Sequence, residues 1–135
     1  MSNQYEPKMT TAYWAMRKEN GTFYLEYPIY GRRIDGLVVL NDGNKSKEPK
    51  SAKHAPKLAE LCGKQVIVLQ TKRNKLGMGV AGQTIISKTL LEQAGVKVVA
   101  ALAICLKMDE RILGALKEHG CDAVVEADPK SSVRK

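Results

Sequence analysis

The sequence predicts a mixed α/β domain in which a helix and three antiparallel strands are followed by helix, strand, helix and strand. Three observations carry this. Residues 64–73, KQVIVLQTKR, hold an unbroken apolar run, Val66, Ile67, Val68 and Leu69, that ends abruptly in a polar triplet. Such β-branched runs fill a sheet interior covered on both faces. Residues 22–30 alternate Phe23, Leu25, Tyr27 and Ile29 against Tyr24, Glu26 and Pro28, the period of a half-buried strand. Beyond them the spacing becomes helical, stops at a glycine, and gives way to a second long apolar run.

In chain order, residues 1–8 are polar and predicted to be loose. Residues 9–20 form the first helix, with Thr10 or Thr11 as cap, Tyr13, Met16 and Arg17 at helical spacing, and Gly21 as its stop. Pro28 cannot donate to a ladder, so the strand at 22–30 belongs at a sheet edge. A tight turn at Tyr30-Gly31-Arg32 leads into a strand at 33–40, where Asp35 is a lone carboxylate in an apolar run. Residues 41–53, NDGNKSKEPKSAK, are a turn-rich basic loop, and 52–61 a short helix interrupted near Pro56. After the central strand, Ile85, Ile86, Leu90, Leu91 and Ala94 form the apolar face of a helix that Gly95 ends. Residues 96–106 make a second central strand, parallel to the first through a right-handed helical crossover. Asp109 caps a helix running to His119, with Ile112, Leu113 and Leu116 inward and Gly120 closing it. Residues 121–127 are the last strand, and 129–135, PKSSVRK, a basic, frayed tail.

A chain of 135 residues with 44% hydrophobic content is expected to be one domain, 1–135, with a sizeable core. No apolar run approaches the roughly 20 residues of a membrane span. The first eight residues are too polar for a signal peptide, so a cytoplasmic protein is expected. Cys62, Cys105 and Cys121 are odd in number and widely spaced, which argues for reduced structural thiols rather than zinc or dithiol chemistry. His54 and His119 read as a surface histidine and a helix-end histidine. Of the net charge of +8, the stretch 42–75 contributes +6, from nine basic and three acidic residues. That field attracts polyanions; a solvated lysine-rich loop is the alternative reading.

Chemistry concentrates where the central strand ends. Gln70 and Lys72 share one face and Thr71 takes the other. If the Asp35 strand pairs antiparallel with it, a register joining Asn41 to Gln65 sets Asp35 opposite Thr71; a shift by one sets it opposite Gln70 or Lys72, as a shared site requires. A two-residue turn at Tyr30-Gly31 puts Glu26 directly opposite Asp35. Two carboxylates near a lysine make a candidate metal site, although Glu26 on an edge strand also has the option of facing water. Phosphodiester cleavage needs hard oxygen ligands for Mg²⁺ and a cation near the scissile phosphate. Two other readings remain. Asp35 and Lys72 would be a structural salt bridge between strands, or Gly77, Gly79 and Gly82, formally G-x-G-x-x-G, would cradle a dinucleotide pyrophosphate, though no acidic residue ends the next strand.

The strand order, with IDGLVV followed by VIVLQTK, resembles the PD-(D/E)XK nuclease superfamily, and LQTKRNKLGMGVAGQTIIS resembles small bacterial members with a Q-x-K strand. The resemblance covers residues 10–128. It implies a restriction-endonuclease-like αβββαβ core with an additional C-terminal helix and strand. It also implies Asp35 as metal carboxylate, Gln70 in the place of the second acid, Lys72 as catalytic lysine and Gln83 as a supporting helix residue. Ile34 stands where the family has proline. Gln70 for an acid removes a negative charge, which should lower affinity for Mg²⁺ or Mn²⁺ unless Glu26 compensates. The implied function is metal-dependent cleavage of nucleic acid, DNA before RNA, with Asp35, Gln70 and Glu26 around the metal. Arg32, Arg33, Lys45, Lys47, Lys50, Lys53, Arg73 and Lys75 would contact the nucleic acid. A non-catalytic nucleic-acid-binding or assembly domain on the same fold is the alternative, and a homodimer is expected because many such small folds pair.

Overall fold

The computed structural model describes residues 4–41, 43–46 and 48–129. The chain forms α1 (Tyr5–Met16), β1 (Gly21–Ile29), β2 (Arg32–Leu40), β3 (Gln65–Thr71), α2 (Met78–Gln93), β4 (Lys97–Cys105), α3 (Glu110–Glu118) and β5 (Asp122–Val125). Two short 3-10 turns, Ala52–His54 and Leu58–Leu61, replace the short helix expected between β2 and β3. Strand order in the sheet follows chain order, antiparallel through β3 and parallel from β3 to β5. This is the mixed α/β layout predicted from the sequence, an αβββαβ core with one more helix and strand.

Because side chains alternate along a strand, β3 serves two cores. Ile67 and Leu69 pack with Met9, Trp14 and Phe23 under α1, while Val66 and Val68 pack with Leu37, Val80 and Leu91 under α2. Gly95 and Gly120, at positive φ of 86° and 73°, follow α2 and α3 as expected. All three cysteines are free, and Cys105 is buried in the strand as packing. No helix among the described residues is long and apolar enough to cross a membrane.

Helix α1 starts four residues before the predicted Met9, so residues 5–8, expected to be loose, are helical. Pro7 sits in the first turn, where a missing N–H costs nothing. Thr10 is therefore no cap: it is buried, donates to the Glu6 carbonyl at 2.9 Å, and meets Thr71 Oγ1 at 2.6 Å. At the other end, Lys45 Nζ donates to the carbonyls of Ala15 and Arg17, satisfying the helix C-terminus.

The hairpin of β1 and β2 turns over partway along. Phe23 and Leu25 face the α1 core, but Tyr27 and Ile29 face the α2 core; on β2, Val38 faces α1 and Ile34 faces α2. The change falls at Glu26, whose φ of 56° lies in the left-handed region, and at Asp35 opposite it, where the ladder lacks a pair between Leu25–Gly36 and Tyr27–Ile34. Beyond this point the hairpin end curls over α2. The outer edge of β1 is covered as far as Leu25 by the segment after β2, through Lys50 N–H to Phe23 O (2.8 Å) and Leu25 N–H to Lys50 O (3.4 Å).

Two expectations change in detail. In α2 the buried residues are Val80, Ala81, Thr84, Ser87 and Leu91, and Ile86, expected inward, is 55% exposed. On the sheet-facing stripe Ser87 meets a polar group of β3, while the Thr84 hydroxyl donates to the Val80 carbonyl within the helix. The last strand is shorter than 121–127, and of the predicted tail only Pro129 is described.

Gly36 lets α1 lie close to the sheet. A Cβ there would stand 2.7 Å from Thr10 Cγ2 and 2.9 Å from Phe23 Cε1. Gly36→Ala is expected to destabilise by about 1–3 kcal/mol through overpacking. In urea denaturation the midpoint should fall with an unchanged m-value; an unshifted midpoint would show that α1 is not held as described.

Candidate active site

The β2–β3 register pairs Gly36 with Leu69 and Val39 with Val66. Asp35 consequently falls beside Gln70, one position away from the register that would set it against Thr71. Two hydrogen bonds hold it there. Thr71 N–H donates to Asp35 Oδ2 at 2.8 Å, and the Asp35 N–H donates to Gln70 Oε1 at 3.2 Å. Gln70 Nε2 in turn donates to Ser87 Oγ of α2 at 2.8 Å. With 2% exposure and both ends of its amide engaged, Gln70 acts as the missing ladder partner for Asp35 and ties that strand to α2.

In front of Asp35 lies a cleft of about 350 Å³ whose walls include Glu6, Lys72, Lys75, Gly79 and Gln83. It opens at the C-terminal end of β3, between the first turns of α1 and α2. Helix α2 has Gly77 as its N-cap, with no side-chain cap, and Gly77 and Gly79 line the cleft, so the positive end of the helix lies there. Burial pushes the Asp35 carboxyl up from its ordinary 3.8 to about 6; the Thr71 N–H pulls it back, the Glu6 and Glu26 carboxylates push it further up, and the Lys72 ammonium pulls it down. Asp35 and Lys72 share the cleft without forming an ion pair, so the structural salt-bridge reading does not describe them.

The second carboxylate of the cleft is Glu6. Sequence reading missed it because residues 1–8 lacked a cap and an apolar period; the one available signal was Glu6-Pro7, an acid and a proline suited to a first helical turn. Glu6 Oε2 accepts the Arg73 N–H at 2.9 Å, and the Thr10–Thr71 contact anchors its helix to β3. Glu26 takes another place. Its left-handed backbone and edge position leave it 54% exposed, where its Oε1 accepts from Arg33 Nη1 at 2.6 Å, outside the cleft lining.

The oxygens Asp35 Oδ1 and Glu6 Oε1 accept no hydrogen bond among the described residues. No group of three or more His, Cys, Asp or Glu among the described residues stands ready to cage a metal. A pair of hard carboxylates beside a lysine fits Mg²⁺, which keeps several waters and is commonly held by one or two carboxylates plus phosphate oxygens. It fits zinc less well, since the lining residues include no histidine or cysteine and zinc sites are usually built around those ligands.

The predicted nucleic-acid contacts divide. Lys75 lines the cleft, 3.6 Å from Asp109 Oδ2. Arg73 is turned inward, forked onto Asp128 at 3.0 and 3.1 Å and stacked 4.2 Å from the Tyr5 ring centre. Lys45 is spent on α1 and on the Trp14 ring. Arg32, Arg33, Lys50 and Lys53 are exposed, and Lys47 lies outside the described residues. Gly77, Gly79 and Gly82 do follow a strand and open a helix, but the carboxylates of Asp35 and Glu6 at that end have the wrong sign for a pyrophosphate.

No protein-family model and no curated protein matches this chain. Solved structures that share its fold include a repair endonuclease from Pyrococcus abyssi, with a TM-score of 0.60 at 19% identity over 96% of this chain and 50% of that one. Another is EndoMS in complex with dsDNA, with a TM-score of 0.56 at 14% identity over 93% of this chain and 46% of that one. The chain thus spans about half the length of these neighbours. At such identities the likeness is one of fold: this chain has the mixed α/β fold found in these two structures.

Proposed function

We propose that this protein is a metal-dependent nuclease of the PD-(D/E)XK type with a Q-x-K strand, acting on the phosphodiesters of DNA. The observation that carries the reading is the delivery of Asp35, from β2, and Lys72, just past the end of the neighbouring β3, into one cleft, on a fold shared with a repair endonuclease. DNA is preferred to RNA because a neighbour of the same fold was solved with dsDNA. Asp35 and Glu6 would hold Mg²⁺ or Mn²⁺, which supplies Lewis-acid polarisation of the phosphate and a more acidic water. The Lys72 ammonium stabilises charge developing on the phosphate oxygens. Gln83, exposed at the cleft rim, donates to a phosphate oxygen, and Gln70 fixes Asp35 from behind. Glu6 then provides the negative charge that glutamine at position 70 lacks.

A non-catalytic DNA-binding module is the second reading, favoured by the small number of carboxylates in the cleft. Incubation with plasmid, single-stranded DNA and RNA in Mg²⁺ or Mn²⁺, then with chelator, separates the two. Lys72→Ala is expected to lower chelator-sensitive cleavage by about 100-fold or more, the scale for losing a preorganised charge, while DNA binding persists. Salt-sensitive binding without any cleavage supports the second reading, and neither binding nor cleavage ends both.

A further inference from the structure

A larger groove, of about 610 Å³, lies at the outer edge of β1, away from the cleft. It exists because edge pairing stops at Leu25 and Lys50: the next residue, Glu26, has its backbone turned into the left-handed region, and Pro28 has no N–H to offer. The segment after β2 therefore parts from the strand, and Pro49, Lys50 and Lys53 line the groove together with Arg33 from the hairpin. Its only carboxylate among the lining residues is Glu26, bound to Arg33.

We propose that this groove is a second phosphate-binding subsite for the nucleic-acid backbone, with Arg33, Lys50 and Lys53 as its cations and Glu26 as a built-in counter-ion that a phosphate displaces from Arg33. The inference rests on the nucleic-acid reading above and adds where the backbone runs. Arg33 also lines a hollow between the hairpin end and α2, and that hollow shares Gln83 with the cleft. Shared walls at Gln83 and Arg33 make the three depressions successive neighbours, and the proposed path of the backbone runs past them from Lys72 and Lys75 to Lys53. A path with cations along it suits a polyanion rather than a single free phosphate. The Glu26–Arg33 pair is exposed at both partners, 54% and 69%, so water already screens it and exchange for a phosphate costs little. An arginine forks onto a phosphate as well as onto a carboxylate.

Binding of labelled duplex DNA, measured by anisotropy in chelator over a salt series, tests this. Lys50→Ala with Lys53→Ala is expected to reduce the slope of log K against log salt by about 2, since each phosphate contact contributes about 0.9. Glu26→Gln is expected to tighten binding several-fold without any metal, because it frees Arg33 and removes a negative charge from the groove. All three positions are exposed, so the variants should fold. An unchanged slope in the double variant, or weaker binding in Glu26→Gln, overturns the subsite. If the wild type cleaves DNA while the slope is unaffected, the subsite alone falls; if the wild type does not bind DNA, the nucleic-acid reading falls with it. Displacement of the DNA by millimolar inorganic phosphate at constant ionic strength would overturn the backbone assignment in favour of a small-anion site.

Discussion

Asp35→Asn is expected to abolish metal-dependent cleavage and, at the same time, to make the protein more stable at neutral pH. Burial raises the Asp35 carboxyl to about 6 in the folded chain against an ordinary 3.8. Between those values the native state holds a proton that the unfolded state has released, so stability falls as pH rises from about 4 to about 6 and stays low above. The full difference corresponds to at most ~3 kcal/mol at ~1.4 kcal/mol per pH unit. Asparagine keeps an oxygen for the Thr71 N–H and carries no charge. The variant should therefore gain up to ~3 kcal/mol at pH 7 in chelator and lose the slope between about pH 4 and 6. Urea denaturation across that range reads it directly. A second readout is free of activity: saturating Mg²⁺ stabilises only a folded state that binds it, so it should raise the wild-type midpoint and leave that of Asp35→Asn unmoved. A variant no more stable than wild type at pH 7 would show that burial of the Asp35 carboxyl costs no stability, and one still stabilised by Mg²⁺ would show that Asp35 is not the proposed metal carboxylate. Such gains at the cost of function are the usual signature of a group kept for chemistry rather than for folding.

Gln70→Glu tests the glutamine at the position where the proposed PD-(D/E)XK reading expects an acid. A ligand position would welcome the extra charge. The structure argues the reverse in the absence of metal, because Gln70 is buried and its two amide ends serve the Asp35 N–H and Ser87. An ionised glutamate there would lose the donor to Ser87, which must turn its hydroxyl, and would stand beside a carboxyl already raised by burial. We expect a loss of about 3 kcal/mol at pH 8 in chelator, the scale for an uncompensated buried charge. The same burial pushes such a carboxyl up, so the loss should shrink as pH falls and the group takes its proton. Combining the change with Asp35→Asn should recover more than 1 kcal/mol beyond additivity, since the two groups are in contact. Equal stability of Gln70→Glu and wild type from pH 5 to 8, together with tighter Mg²⁺ binding, would instead make position 70 a ligand position facing the cleft.

The sequence was most legible where one periodicity ruled. The Val66 to Leu69 run, the alternation from Phe23 to Ile29 and the glycine stops at 95 and 120 became β3, β1 and the ends of α2 and α3. Legibility failed where a polar contact across elements outweighed a local pattern. Ile86 points outward because Gln70 needs Ser87 on the sheet-facing stripe of α2, and hydropathy alone assigns that stripe to the isoleucine. Arg73 and Lys45 look like free basic residues until Asp128, distant in sequence, and the end of α1 claim them.

Local sequence by itself determined that one strand of a mixed α/β domain carries an aspartate and that another runs out into a lysine, because β-branched runs and strict alternation leave little freedom about which segments become strands. Only the tertiary structure decided that they meet, and with which carboxylate. A one-residue shift in register was needed to bring Asp35 beside Gln70, and a left-handed residue at 26 turned one acid toward solvent while a helix begun at Tyr5 carried another in. Register and helix entry depend on contacts between residues far apart in the chain, such as Thr10 with Thr71 and Gln70 with Asp35, whose energies exist only once the elements have packed.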